Sequence, residues 1–177
     1  MSKLTIELQS SKDQTAFNLR RWEEVLSDRT YRKIPDRIET DRHGRILMSP
    51  PPTPRHARFQ IRIAIVLAKL MPHGETMGEC AISTADGVRG ADVVWASNER
   101  WREVGNRSLF VRAPEICVEI ISPSNSEEEI REKAALYFDA GAIEVWTCGA
   151  FGQMNFFEPG LIDLGRSKLC PEFPTEV

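Results

Sequence analysis

APEICVEIISPSNSEEEIREKAALY, residues Ala113–Tyr137, reads as a strand, a turn and a helix in direct succession. Ile116–Ile121 is a short apolar run of β-branched character, the signature of a strand covered on both faces. One carboxylate, Glu119, breaks the run. Taking that charge out of water costs several kcal/mol unless something pairs with it, so Glu119 needs a partner or a chemical role. Ser122-Pro123-Ser124-Asn125 follows as a turn. Ser126 then predicts an N-cap, Glu129 completes a capping box, and Glu127 to Glu129 place negative charge at the positive helix end. The core-facing positions of this helix are Ile130, Lys133, Ala134 and Tyr137, which share a face at one-turn spacings. A lysine therefore falls on the apolar stripe, one helix after a carboxylate buried in a strand.

A second carboxylate behaves like the first. In Gly90-Ala91-Asp92-Val93-Val94-Trp95, Asp92 interrupts another strand-like apolar run. Alone it reads equally well as a strand-end Asp bonded to local backbone. Beside Glu119 on a neighbouring strand it becomes more specific, because two carboxylates in one cleft repel. One of them must hold a proton unless a cation sits between them. Oxygen donors of this type suit Mg²⁺ or Mn²⁺, with Mg²⁺ taking one or two carboxylates, several waters and a substrate phosphate. Lys133 near such a site could lower the pKa of an attacking water or neutralise charge on the transition state.

Around this centre the chain reads as helix, β-hairpin, helix, β-hairpin, strand, helix and strands, hence a mixed central β-sheet flanked by helices (α/β or α+β). The polar segment 1–14 is a candidate disordered tail, and Thr15–Leu26 carries a partly amphipathic helical pattern. Asp36–Thr40 and Arg45–Ser49 predict a hairpin about Asp41-Arg42-His43-Gly44. Thr53-Pro54 opens a helix to about Met71 whose apolar residues occur nearly all round, which predicts burial on most sides. Glu75–Thr84 and Val88–Ala96 pair about Ala85-Asp86-Gly87, and Asn98–Asn106 is a loop or short helix. After Ile143–Cys148, Gly152–Glu158 and Leu161–Leu164 make a last hairpin about Pro159-Gly160. No repeat or linker divides the 177 residues, so one domain over 1–177 is expected.

Composition narrows the function. The chain holds 23 basic and 26 acidic residues, a formal net charge of −3, which argues against a dedicated high-affinity nucleic-acid module but not against an enzyme touching phosphates locally. The N-terminus has no signal-peptide core, and Ile61–Met71 is too short and too charged to span a bilayer, so a cytoplasmic protein without membrane contact is expected. The four cysteines lack a CxxC pair and read as reduced thiols, Cys117 and Cys148 as small core residues.

The order Asp92, a strand with Glu119, SPSNS and a helical lysine resembles the PD-(D/E)xK nuclease superfamily. More closely, the chain resembles the Uma-two family of restriction-endonuclease-like proteins, through RIETDRHGRILMSPPPTPRHARFQ (37–60), GADVVWAS (90–97) and 113–146 ending in AGAIEVW. The resemblance implies a restriction-endonuclease-like core with a Mg²⁺ site on the strands. Asp92 and Glu119 would be the metal ligands, with the Ile120 backbone carbonyl a third, and Glu39 would add a carboxylate near the metal or its water. The function implied is hydrolysis of phosphodiester bonds in nucleic acid, DNA in particular, by a metal-activated water. A homodimer is a candidate assembly, since folds of this type often pair to cut both strands. Two positions depart from the motif. The proline before the Asp is Ala91, and Ile121 stands two after Glu119 where the motif wants lysine. A branched alkyl group cannot do a lysine's work, so either the site is inactive or the amine arrives from elsewhere. Lys133 is the candidate, because lysine from the adjacent helix is a known variation on this fold.

Each feature has a plainer counterpart. Lys133 could make an exposed pair with Glu129, worth ~0.3–0.5 kcal/mol. His56 reads as a capping or exposed histidine before it reads as a catalyst. Arg55, Arg58, Arg62 and Lys69 recur at helical spacing, as a solvated face or as a salt-sensitive contact to a phosphate backbone. Glu75 and Glu79 read as exposed strand charges, and Trp95, Trp101 and Trp146 as packing. Two other function classes stay open: a catalytically inactive nuclease-fold binding or assembly module, and a metal-dependent hydrolase of some other phosphate ester.

Overall fold

The structure, a computed structural model, describes residues 11–34, 37–122 and 125–177. Its main sheet takes six strands in chain order. β3 (Gly74–Thr84) and β4 (Gly87–Ser97) form a long antiparallel hairpin whose turn ends on Gly87 at φ +87°. β5 (Ile116–Ile120) joins β4 antiparallel, and β6 (Glu144–Cys148) joins β5 parallel. β7 (Met154–Glu158) and β8 (Ile162–Asp163) complete the edge. A parallel pair needs a crossover, and α4 (Glu127–Asp139) supplies it between β5 and β6. The expected mixed sheet flanked by helices is what forms.

Alternation along the strands divides the core into two layers. Phe59, Ile63 and Leu67 of α2 (Pro54–Leu70) pack with Val93, Trp95, Val118, Ile120 and Trp146 on one face. Ala134 and Tyr137 of α4 pack with Val94, Ala96, Cys117 and Val145 on the other. All five residues of β5 are buried, as a strand covered on both sides requires. The period of two sends Glu119 to the same face as Cys117, toward α4. A separate two-stranded hairpin, β1 (Arg37–Thr40) and β2 (Ile46–Ser49), packs with α1 (Ser11–Ser27) through Trp22, Val25, Ile38 and Ile46.

Three expectations change, and one left between loop and short helix is settled. α1 starts at Ser11, so residues 11–14 of the expected tail are helical. Gln14 is buried there and donates to Asn18 Oδ1 at 2.9 Å and to Arg42 O at 3.1 Å. Residues 1–10, like Asp36 and the turn residues Pro123 and Ser124, lie outside the described residues. α2 is not covered all round: Ile61 and Ile65 are 61% and 62% exposed, because the sheet meets one face of the helix. Asn98–Val104 forms helix α3, with Ser97 as N-cap. β7 starts two residues late because the C-terminal segment takes over the pairing, Met154 N donating to Thr175 O at 2.9 Å. The four cysteines are free thiols. Among the described residues no helix is long and apolar enough to cross a membrane.

Glu144, at the start of β6, fastens that C-terminal segment. It is fully buried and accepts from Trp146 Nε1 and Ser167 Oγ, both at 2.7 Å, and from the Lys168 and Leu169 amides at 2.8 and 2.9 Å. Glu144→Ala strands two buried and two part-buried donors and is expected to lower stability by roughly 2–4 kcal/mol in urea denaturation. An unchanged urea midpoint would show that the segment is held by other means.

Candidate functional site

Asp92 and Glu119 line one cleft of about 660 Å³, together with Glu39, His56, Ile120 and Lys133. Asp92 is 1% exposed and is aimed by the neighbouring strand, since Ile120 N donates to its Oδ2 at 2.7 Å. Glu119 is 4% exposed, accepts from Tyr137 OH at 2.7 Å on Oε1, and meets Lys133 Nζ at 3.1 Å on Oε2. Tyr137 and Lys133 lie one turn apart on α4. The capping box at Ser126 forms as expected, with Ser126 N donating to Glu129 Oε2 at 2.8 Å and Glu129 N to Ser126 Oγ at 3.1 Å. Glu129 is thereby engaged at the cap, and Lys133 turns inward instead of pairing with it.

Lys133 Nζ reaches three partners. They are Glu119 Oε2 and Glu39 Oε1, each at 3.1 Å, and Gly90 O at 2.9 Å. Glu39 is held in turn by the Gly90 amide at 2.8 Å. Gly90 thus serves Glu39 with its N–H and Lys133 with its carbonyl. A Cβ there would lie 2.9 Å from Arg37 Nη2, which also donates to Gly90 O, so a side chain at this position would push Arg37 aside. Asp92, Glu119, Lys133 and Glu39, far apart in sequence, are therefore brought together. Ile120 lines the same cleft and offers its amide to Asp92.

Four further residues join the wall. Arg37 Nη1 donates to Asp92 Oδ1 at 2.6 Å, and its Nε stands 3.4 Å from Glu79 Oε2. Arg37 lies two residues before Glu39 on one strand, so the two share a face; that spacing was the signal for it. His56 Nε2 approaches Asp92 Oδ1 at 3.3 Å, which corrects its reading as a plain cap. Its amide also donates to Thr53 Oγ1 at 3.3 Å, so one residue serves both cap and cleft. Gln60, one turn on, donates to Asp92 O and Glu79 Oε1, both at 2.8 Å. Glu79 is likewise not an idle strand charge. It sits opposite Asp92 with φ +52°, and the β3–β4 ladder skips that pair. The alternation resets there, for Ala91 and Val94 both pack in the α4-side layer.

The electrostatics set the two central carboxylates apart. Burial pushes Glu119 up to about 7, with Lys133 pulling against the rise and Asp92 adding to it. Burial pushes Asp92 up as well, but the His56 hydrogen bond and the Arg37 charge outweigh it and hold Asp92 below its usual value. His56 is raised in return, chiefly by that hydrogen bond. For Glu39, burial is outweighed by Lys133 and Arg37, and the carboxyl is held low. Burial works to strip the Lys133 proton, yet Glu119 and Glu39 together keep the ammonium charged above its ordinary range.

Two buried carboxylates beside a strand-end backbone make a hard oxygen donor set, the kind that takes a divalent ion with waters filling the remaining positions. Among the described residues no group of three His, Cys, Asp or Glu forms a metal cage. An ion here would rest on the carboxylate pair, and at Asp92 Oδ1 it would compete with Arg37 and His56.

A mixed sheet with β4 and β5 presenting carboxylates to a crossover-helix lysine defines a restriction-endonuclease-like fold. It is similar to the crystal structure of a putative nuclease belonging to DUF820 from Anabaena variabilis, with a TM-score of 0.62 and 19% identity over 71% of this chain and 74% of that one. The family model described as "Uma2: Putative restriction endonuclease" matches residues 26–150, more than half of the chain, and the chain belongs to that family. Among curated proteins none matches it significantly.

Because the folded Glu119 titrates above the ordinary 4.5, its contribution to stability is complete below that pH and is lost as pH rises through about 7. His56, also raised, acts in the same direction. Metal-free protein should therefore lose stability between about pH 5 and pH 8, and Glu119→Gln should remove up to ~3 kcal/mol of that fall. Urea titrations in EDTA test this. Parallel pH profiles for the two proteins would rule it out.

Proposed function

We propose that this protein is a Mg²⁺-dependent endonuclease that hydrolyses phosphodiester bonds in DNA. The observation that carries the proposal is the meeting of Lys133 Nζ with Glu119 and Glu39, each at 3.1 Å, in the cleft lined by Asp92. A divalent ion held by Asp92, Glu119 and the Ile120 carbonyl would supply Lewis-acid stabilisation of the charge that develops on the phosphate. The protein's own groups do the rest. Ile120 N and Tyr137 OH hold the two carboxylates in fixed directions before substrate arrives. All three ammonium protons of Lys133 are taken, so the lysine acts on the phosphate through its charge, and a water reaching it displaces one partner. Arg37, two-pronged and always charged, suits a phosphate oxygen once it leaves Asp92. In the reaction the oxygen of water bonds to phosphorus and the bond to the leaving sugar oxygen breaks. One proton is released from the water and one is taken up by the leaving group. DNA as the substrate follows the family's description as a restriction endonuclease.

One observation favours the other reading, an inactive nuclease-fold binding or assembly module. Asp92 is already satisfied, with Arg37 and His56 on Oδ1 and Ile120 N on Oδ2. Calorimetric titration with Mg²⁺ or Mn²⁺ separates the two, since the nuclease reading expects binding that Glu119→Gln abolishes. Nicking of supercoiled plasmid should then fall by roughly 100-fold or more in Asp92→Asn and in Lys133→Met. Wild type that binds no divalent ion and nicks no faster than Glu119→Gln would leave only the module.

A further inference from the structure

We propose that the outer flank of α2 is the track on which the phosphate backbone of the bound nucleic acid lies beyond the cleft, an inference that rests on the nuclease reading and names the surface that holds the substrate. Arg55, Arg58, Arg62 and Lys69 are all exposed. At 3.6 residues per turn they fall within an arc of about 60° on the helix surface. The helix contains no Asp or Glu. None of the four cations is paired with a carboxylate among the described residues. Cations that face the cleft behave in the opposite way, for Arg37 and Lys133 each meet a carboxylate. In a chain of net charge −3, α2 thus collects unshared charge of the opposite sign.

Position adds to charge. The start of α2 supplies Thr53, His56 and Gln60 to the cleft wall, so Arg55 and Arg58 stand within a turn of the proposed chemistry. From Arg55 to Lys69 the helix rises about 21 Å, the axial length of about six base pairs of duplex. Contacts of this kind fix the register of a backbone and read no bases, which agrees with a chain that carries no base-reading motif. An anionic membrane surface also attracts basic helices. Here the large exposed apolar residues of the helix are Ile61 and Ile65, a small area to bury in lipid, while the adjoining cleft on the nuclease reading takes phosphate.

The test is fluorescence anisotropy with a labelled duplex of about 20 base pairs in EDTA, repeated over a salt series. The full chain is compared with the double variant Arg58→Gln/Arg62→Gln and with a control of equal charge change, Arg29→Gln/Arg102→Gln, at exposed positions elsewhere. The stripe variant should bind roughly ten- to a hundred-fold more weakly near 0.1 M salt, with a log–log salt slope shallower by about two. The control should match wild type. A stripe variant indistinguishable from the control, a wild type that binds no duplex, or a loss confined to phosphatidylserine vesicles would each overturn the proposal. Plasmid nicking keeps the two proposals apart: metal-dependent nicking with an unchanged salt slope removes the track alone, and stripe-dependent binding without nicking removes the nuclease alone.

Discussion

Lys133 leaves α4 and ends between Glu119 of β5 and Glu39 of β1, with the Gly90 carbonyl of β4 as its third partner. Four elements from distant parts of the chain therefore meet at one nitrogen. Little water reaches this point, so each unpaired charge there would be expensive and each paired one is strongly held. The lysine permits Glu119 to sit inside a strand that is otherwise wholly apolar. Glu119 in turn, with Tyr137, keeps the inward stripe of α4 facing the sheet. The separate β1–β2 hairpin is drawn in by the same contact, which is how a small second sheet comes to form one wall of the cleft.

Asp92 is aimed by a different device. The β3–β4 ladder skips the Glu79–Asp92 pair, Glu79 takes a left-handed backbone conformation, and Gln60 reaches from α2 to the Asp92 carbonyl. A local distortion of this sort is costly for a non-glycine residue and persists only where its surroundings over-determine it. Its effect is to break the alternation of faces at one residue, so that a carboxylate in a strand interior opens onto the cleft. Arg37 then occupies the oxygen that Ile120 leaves open. The cleft is pre-organised and self-neutralised at once, and whatever enters must compete with internal cations for its oxygens.

Charge is partitioned across the molecule in a way that mean composition conceals. Inside the cleft, cations and carboxylates pair one against another. On the outer flank of α2 the cations meet no carboxylate among the described residues, beside two exposed isoleucines. The first arrangement concentrates field on a small volume, and the second spreads it along about 21 Å of surface. A net charge of −3 describes neither.

By itself the sequence determined the buried strand that starts at Ile116, the capping box that starts α4 at Ser126, the mixed sheet flanked by helices, and four residues of the cleft: Asp92, Glu119, Lys133 and Glu39. Asp92, Glu119, Lys133 and the cap are written in short-range pattern, as a carboxylate in an apolar run, a lysine on an apolar stripe or a cap three residues from its partner, and neighbours along the chain suffice to impose them; Glu39 was marked only by the resemblance to a known family. The tertiary structure alone decided that Arg37 and His56 would close on Asp92, that Glu79 would turn into the wall, that Gln14 would be buried, and that Ile61 and Ile65 would face outward. Those outcomes depend on strand register and on which layer lies over which helix face. Residues tens of positions apart set both, so no local period could carry the information.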